Sequence, residues 1–257
     1  MSAEFLHDKL AGLLQGTGMG SPLHVLEETD STNDQALALA RDGAPHGTVV
    51  LALTQTSGRG RLGRIWSNRH GDSLCLSLLL RPGGTMKEAG LLTFHAGLAV
   101  HRALTGMTGL PFHIKWPNDI LWENRKVCGI LTESVSKDGR ADCVVVGFGC
   151  NLNQKEEHFP LEIRQRAISL AQLTGRTWDI ADTAAAILAE MALTLTESWK
   201  QVLEDWKLRC ASLGKNVRVA TGGDILDAVL LDVDPDGALL LKLPDGPVRR
   251  IHSAEIL

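Results

Sequence analysis

Residues Ser57–Trp66 read SGRGRLGRIW, and the reading of this stretch decides what kind of protein the rest of the chain must build. Three glycines (Gly58, Gly60, Gly63) and three arginines (Arg59, Arg61, Arg64) fall within seven residues, with an indole two positions on. Glycine leaves the backbone bare and free to take positive φ, so main-chain N–H groups can approach a ligand closely. Arginine forks supply planar, permanently charged donors suited to carboxylate and phosphate. Such a loop is costly to order by itself, so an anion is expected to complete it; the bland alternative is a mobile, solvated surface loop.

Three familiar patterns nearly fit. Gly58-x-Gly60-x-x-Gly63 matches the dinucleotide fingerprint, and a strand-like run, Thr48–Leu53, precedes it. The fingerprint must open a helix, yet this loop leads into the turn-rich Ser67-Asn68-Arg69-His70-Gly71-Asp72 and then another strand-like run. A phosphate-binding P-loop needs Lys-Ser/Thr where the chain has Arg64-Ile65. An RGG-like nucleic-acid contact is weakened by the formal net charge of −4, because duplex binders carry a basic footprint.

The surroundings are those of an ordinary soluble globular chain. Hydrophobic residues make up 44% of 257 and charged residues 22%, ample material for one large domain and a small appendage. No apolar run approaches the ~18 residues that would suggest a membrane span. The first twenty residues lack a signal-peptide pattern and, through Gly16–Gly20, read as a flexible lead-in. Five cysteines without a CxxC pair are read as buried free thiols of a reducing, cytoplasmic protein. Asp30-Ser31-Thr32-Asn33-Asp34 has helix N-cap chemistry, with a short helix expected through Ala40. Helices are predicted over 87–105, about 163–174 and 180–209, and strands over 73–81, 111–116, 126–135 and 143–150, with a tight hairpin around Glu123-Asn124-Arg125. From Gly214 onward, short apolar runs alternate with Gly-Gly, Asp-Pro-Asp-Gly and Pro-Asp-Gly-Pro turns, the texture of a small barrel-like β unit.

Three further constellations carry chemistry. In Lys115-Trp116-Pro117-Asn118-Asp119, a cation and a carboxylate flank a rigid turn at a strand end. Lys115 is suited to phosphate charge and Asp119 to a magnesium ion, the alternative being a surface ion pair. In Lys126–Glu133, simple alternation sets Lys126, Cys128 and Ile130 on one face, where an ammonium among apolar neighbours wants an anion. Gly129 permits close backbone approach. The segment is not the nucleotidyl-ligase pattern KxDG, since position 128 is Cys, and a covalent lysyl-adenylate is disfavoured. Gly147-Phe148-Gly149-Cys150-Asn151 suits a backbone lying against a flat ligand, with an amide at its end, or simply a turn after a strand.

In this order the motifs resemble those of the biotin protein ligase family: Ser31-Thr32-Asn33, Gln55, Gly58–Trp66, Lys115–Asp119, Lys126–Glu133 and Gly147–Asn151, spanning about residues 24–153. The resemblance implies an α+β fold, a mixed central sheet with helices packed on it, followed by a small SH3-like domain. Boundaries are expected at 1–20 (lead-in), 21–210 (catalytic domain) and 211–257 (C-terminal domain). It also implies a two-step reaction in which ATP activates biotin as biotinyl-5′-AMP and a lysine of biotin carboxyl carrier protein, as in acetyl-CoA carboxylase, then displaces AMP. By resemblance, Ser31, Thr32, Asn33 and Gln55 bind the biotin head, and Arg59, Gly60 and Arg61 line its carboxylate end. Lys126 lies between that carboxylate and the α-phosphate. Trp66 stacks on adenine and Asn151 reads its edge. Lys115 and Asp119 serve the phosphates and Mg2+, with Asp119 as metal ligand, and Arg64, Asn118, Gly129 and Gly147 complete the binding set. Lys126, Arg61, Lys115 and Asp119 are the expected catalytic residues. Some family members carry an N-terminal DNA-binding domain; only about twenty residues precede the core here, so nucleic acid is not expected as a partner. Without a long apolar run no membrane is expected either, and the chain is expected as monomer or homodimer. The rival readings are a lipoyl or octanoyl transferase of the same fold, against which Gly58–Trp66 argues, and a non-catalytic biotin- or carrier-binding module, against which the intact Lys126, Arg61 and Asp119 argue.

Overall fold

The computed structural model describes residues 2–244 and 246–257. In chain order its elements are α1 (Ala3–Leu13), β1 (Leu23–Thr29), α2 (Thr32–Arg41), β2 (Val49–Gln55), β3 (Ser73–Leu80), α3 (Met86–Thr108), β4 (Phe112–Lys115), β5 (Asp119–Trp122), β6 (Arg125–Lys137), β7 (Arg140–Asn151), α4 (Leu170–Thr174), α5 (Ile180–Thr194), α6 (Trp199–Arg209), β8 (Asn216–Thr221), β9 (Asp224–Val233), β10 (Leu239–Lys242), β11 (Val248–Ile251) and β12 (Glu255–Ile256). The first seven strands form one mixed sheet in the order β1-β2-β3-β7-β6-β5-β4, parallel only between β1 and β2. The last five form an antiparallel sheet in the order β11-β10-β9-β8-β12.

Alternation along the central strands divides the large sheet into two unlike faces. Leu51, Leu74, Leu76, Leu78, Val146 and Phe148 bury one face in the main core, under α1, α3, α5 and α6. The other face is covered at one end by α2, whose Ala36 and Ala40 pack on Val50, Leu79 and Val145. Beyond α2 that second face carries Ser77, Gly147 and Leu131 in one cross-strand row, and Cys75, Gly149, Gly129, Asp119 and Lys115 in the next. Three glycines in two adjoining rows remove the side chains that would fill this face and leave a trench across the middle of the sheet.

Local chemistry explains where helices begin and end. The Thr85 hydroxyl and the Glu88 carboxylate form a reciprocal capping box at the start of α3, which ends at Gly109 with φ 71°. A second box, Ser198 with Gln201, opens α6. It divides the single helix predicted over 180–209 into α5 and α6, because the Ser198 side chain takes the N–H of Gln201 and ends helical continuity there. The helix predicted over 163–174 contracts to α4. Upstream of it the backbone is used in pairing: Lys126 N–H donates to Arg166 O at 2.7 Å, and Ile168 N–H donates to Lys126 O at 3.0 Å. The first twenty residues, expected as a flexible lead-in, contain a helix. Leu6, Leu10 and Leu14 of α1 and its C-cap are buried, and Lys9 bridges Asp179 (2.9 Å) and Asp182 (2.8 Å) at the start of α5.

The C-terminal sheet sits against α3 and α6 through the turn Asp234-Pro235-Asp236-Gly237. Trp116 Nε1 donates to Gly237 O (3.1 Å), Trp199 Nε1 to Pro235 O (2.6 Å), and Lys207 pairs with Asp232 (2.7 Å). A Cβ on Gly237 would lie 2.9 Å from the Phe94 ring, so only glycine lets the turn seat this deeply.

Candidate functional site

The trench is walled on one side by the start of α2. Ser31 stands at the N-cap of this helix, but its hydroxyl makes no capping bond. The helix N-terminus is instead served by a residue from β2: Gln55 Oε1 accepts from Thr32 N (2.8 Å) and from Thr32 Oγ1 (3.0 Å). That fixes the Gln55 amide with its Nε2 against Gly58, 2.8 Å from where a Cβ on that glycine would stand. Asn33 is held from below. Its Nδ2 donates to Glu133 Oε2 (2.8 Å) and Leu131 O (3.3 Å), while the buried Ser77 hydroxyl stands 2.6 Å from Asn33 Oδ1 and 2.8 Å from Thr32 Oγ1. A Cβ on Gly147 would collide with the Asn33 carboxamide. Of the four residues expected at one ligand head, Thr32, Asn33 and Gln55 are thus brought into one hydrogen-bonded wall, with Ser31 at its edge. Ser77, which braces that wall, is not among the residues singled out from sequence, its signal being positional, on the trench face two residues beyond Cys75; Glu133 closes the motif Lys126–Glu133 but carried no assigned role there.

The arginine loop covers the trench as a small hairpin. Trp66 N–H donates to Gly58 O and Gly60 N–H to Arg64 O, both at 2.8 Å, and Arg59 pairs with Ile65. Leu62 (φ 56°) and Gly63 (φ 73°) form its tip, the pair of positive φ values that a type I′ turn demands. Its three arginines go to three different places. Arg59 binds Asp34 (2.5 Å) and Glu133 (3.0 Å). Arg61 donates to Asn118 Oδ1 (3.3 Å), a neutral acceptor. Arg64 binds Glu255 of the C-terminal sheet. Trp66 turns inward onto the glycine floor: a Cβ on Gly149 would lie 2.5 Å from its ring and one on Gly129 3.4 Å. Its indole Nε1 is buried and has no oxygen or nitrogen partner among the described residues. The burial that surrounds Cys75 beneath it pushes that thiol up to about 12, so Cys75 is a neutral part of the floor.

Lys126 does not share a face with Cys128 and Ile130, as alternation suggested. The β5–β6 pairing shifts register between Ile120 and Leu121, so Asp119 faces Gly129 while Leu121 faces Lys126. This bulge turns the Lys126 side chain into the trench, as bulges beside active sites often do. Its Nζ lies over Gly129, 2.7 Å from where a Cβ would stand, pairs with Asp119 Oδ1 at 2.7 Å and sits 5.6 Å from the Trp66 ring centre. The Lys126 peptide is clamped as well, since its carbonyl accepts from Ile168 N and from Asn151 Nδ2 (3.2 Å).

Most of the residues singled out from sequence meet around one cavity of about 50 Å³: Ser31, Thr32, Asn33, Gln55, Arg59, Gly60, Arg61, Trp66, Asn118, Lys126, Gly129 and Gly147 all line it. Arg64, Lys115, Asp119 and Asn151 do not. Lys115 and Asp119 continue the trench floor toward the C-terminal sheet. The expected contact of Asn151 with an adenine edge is not available in this arrangement. The Asn151 side chain is buried, donates to Lys126 O and Ile168 O, and accepts from Gln154. Asp119 as a magnesium ligand also meets a different arrangement: its carboxylate is engaged by Lys126, and no group of three or more His, Cys, Asp or Glu side chains suited to a metal occurs among the described residues. A single carboxylate paired with a lysine offers Mg2+ one protein ligand at most, which leaves the rest of its coordination to phosphate oxygens and water.

Charge around the trench is uneven. Burial holds the Arg61 guanidinium and the Lys115 ammonium below their ordinary values. Neither meets a carboxylate at ion-pair distance among the described residues. Arg64 is raised by its bond to Glu255, and Glu255 is lowered by the same bond. Two partly desolvated cations without carboxylate partners, beside a lysine over a glycine floor, make a receptor for more than one anionic group. A second cavity of about 360 Å³ lies beyond the Arg61–Asn118 contact, between α3 and the C-terminal sheet, with Lys87, Phe94, Trp116 and His252 in its wall.

The chain matches the Biotin/lipoate A/B protein ligase family over residues 25–151 and the Biotin protein ligase C terminal domain over residues 212–257. It is 35% identical over 242 residues to the bifunctional ligase/repressor BirA of Bacillus subtilis, covering 93% of this chain and 74% of that protein. It is 36% identical over 230 residues to the biotin–[acetyl-CoA-carboxylase] ligase of Paracoccus denitrificans, covering 86% of this chain and 95% of the relative. The structure of the biotin protein ligase from Aquifex aeolicus in complex with biotin and ATP is similar with a TM-score of 0.76 at 32% identity, over 91% of this chain and 96% of that one. The first match alone is shared by biotin and lipoate ligases, and the second separates them. With catalytic and C-terminal domains both matched, and relatives above 30% identity over most of its length, the chain belongs to the biotin protein ligase family.

Proposed function

We propose that this chain joins biotin to a biotin carboxyl carrier protein in two steps at the trench. In the first, a biotin carboxylate oxygen attacks the α-phosphorus of ATP, the bond to the β-phosphate oxygen breaks, and pyrophosphate leaves with biotinyl-5′-AMP formed. In the second, the neutral amine of an acceptor lysine attacks the anhydride carbonyl, the carbon–oxygen bond to AMP breaks, the nitrogen gives up one proton to solvent, and an amide and AMP result. The observation that carries this reading is the pair of half-buried cations Arg61 and Lys115 flanking Lys126, none of which is balanced within the trench except Lys126 by Asp119.

Adenylation brings two anions together, so the site must neutralise both and support the charge developing at phosphorus. In this reading Ser31, with its hydroxyl free of capping, and Gln55, with its amide fixed by α2, address the polar biotin head. Lys126 reaches the junction of carboxylate and α-phosphate, and Lys115 and Arg61 attend the phosphates. Asn151 positions Lys126 through its carbonyl. Magnesium arrives with ATP as part of the substrate, since Mg2+ takes few protein carboxylates and keeps phosphate oxygens and water. The cavity of about 50 Å³ is far below the few hundred Å³ typical of small-molecule pockets, so the loop must lift for entry and close again to keep water from the anhydride. The adjoining cavity between the two domains is the acceptor lysine's approach.

The test is pyrophosphate release from ATP with and without biotin, followed by addition of a carrier domain and mass analysis of its acceptor lysine. Biotin-dependent release and a biotin-sized mass gain on that lysine are expected. Biotin binding with no release would make the chain a binding module, and release supported by lipoate or octanoate in place of biotin would favour the lipoyl reading.

A further inference from the structure

Among the described residues, the C-terminal domain touches the arginine loop through one ionic contact, from Glu255 on the two-residue strand β12 to Arg64. The domain that presents this carboxylate is itself held firmly, with β12 paired to β8 and the β9–β10 turn seated against Phe94, Trp116 and Trp199. Arg64 is three residues from Arg61 and two from Trp66, and its carbonyl accepts the Gly60 N–H that closes the hairpin. A pull on Arg64 is therefore a pull on the whole covering loop. The Arg59 contacts with Asp34 and Glu133 pin the opposite strand of the same hairpin to the catalytic domain. We propose that Glu255 is the latch by which the C-terminal domain holds the arginine loop closed, acting as a positioning residue through Arg64 and not on the substrates.

The latch is reversible by construction. Arg64 and Glu255 side chains are 63% and 27% exposed, so the pair is partly screened and weak enough to open for substrate entry. The groups facing Glu255 offer a rival explanation: Arg61 and Lys115 feel its charge, as Arg64 does. If Glu255 acted only by field, removing it would leave those cations more attractive to phosphate. It would then lower the KM for ATP and leave retention of the intermediate unchanged. A latch acts on retention.

This inference rests on the proposed two-step reaction, and its test uses synthetic biotinyl-5′-AMP so that failure of adenylation does not obscure it. The full-length protein, Glu255→Gln, Arg64→Gln, the double variant and the exchanged pair Arg64→Glu/Glu255→Arg are loaded with this compound. Its release rate is measured by chase with excess unlabelled compound, and subtilisin cleavage within residues 57–66 is followed without ligand. Each single variant is expected to release about twofold to fivefold faster and to be cut faster. The double variant should be no worse than the singles, and the exchanged pair should recover part of the loss. Release from Glu255→Gln at the wild-type rate, additive effects in the double variant, or a lowered ATP KM with unchanged release would each overturn the latch.

Discussion

Gly149 and the Trp66 indole are packed so closely that a methyl group on the glycine would lie 2.5 Å from the ring. The indole rests on backbone because no side chain stands at Gly149 or, across the strand pair, at Gly129. Trp66 is therefore set by the floor as much as by its own loop, and floor and lid are one unit. Replacing Gly149 with Ala should push the indole off the floor and leave the main core, on the opposite face, intact. The expected result is a loss of at least about tenfold in biotinyl-AMP synthesis, on the scale by which small misplacements cost enzymes rate, with an unchanged melting temperature. Wild-type synthesis in this variant would show that the contact is incidental.

Lys126→Ala removes the cation over Gly129 and leaves Asp119 without its partner. Losing one preorganised donor to a developing charge typically costs on the order of 10²–10³ in rate. Adenylate formation should fall by at least that factor while circular dichroism and the thermal transition stay near wild type. Synthesis within tenfold of wild type, a small fraction of that expected loss, would remove Lys126 from the role assigned to it.

Lys115 gives the site a pH signature. Burial lowers its pKa from the ordinary lysine value, opposed by Asp119 and Glu255. In the proposed reaction the protonated ammonium is the form that holds phosphate, so its share of the affinity for ATP is present below that lowered pKa and lost as pH rises through it. The KM for ATP, followed from about pH 7 to about pH 10, should begin to climb before an unperturbed lysine would titrate. In Lys115→Arg the climb should disappear from this range, because guanidinium stays charged beyond about pH 12. An identical alkaline limb in wild type and variant would assign it to another group.

Among the three loop arginines, Arg61 is the one that has no carboxylate partner among the described residues, and in the proposed reaction it holds the adenylate. Its charge-assisted bonds, each worth roughly 1.5–3 kcal/mol, oppose the entropy of holding the loop closed. Arg61→Gly should tip that balance, letting biotinyl-AMP escape to label lysines of a bystander protein mixed into the reaction. Bystander labelling no higher than wild type would argue against a closing lid.

Much of the site was legible because its chemistry is local. Ser31–Asn33, Gln55, the arginine loop and the glycines at 129 and 147 lie in short motifs, and strand alternation brings the two glycines to the face that the others wall and cover. The trench-facing placement of Lys126 was not legible, because a one-residue shift in the β5–β6 register overrides alternation and leaves no mark in composition. Ser31 looked like a cap from its position, but Gln55, more than twenty residues on, took that task. The break between α5 and α6 was readable in principle from Ser198 and Gln201, yet the apolar pattern runs through it. Glu255 gives no sequence signal at all: it meets Arg64 across 191 residues, and only the seating of the C-terminal turn on Phe94 and Trp199 brings the two together.

Exchange of labelled pyrophosphate into ATP tests the central claim most directly, because it reports reversible formation of an adenylate at the trench with no carrier protein present. Exchange that depends on biotin and is abolished in Lys126→Ala is the expected result. Absence of biotin-dependent exchange in the folded wild-type chain would contradict the account.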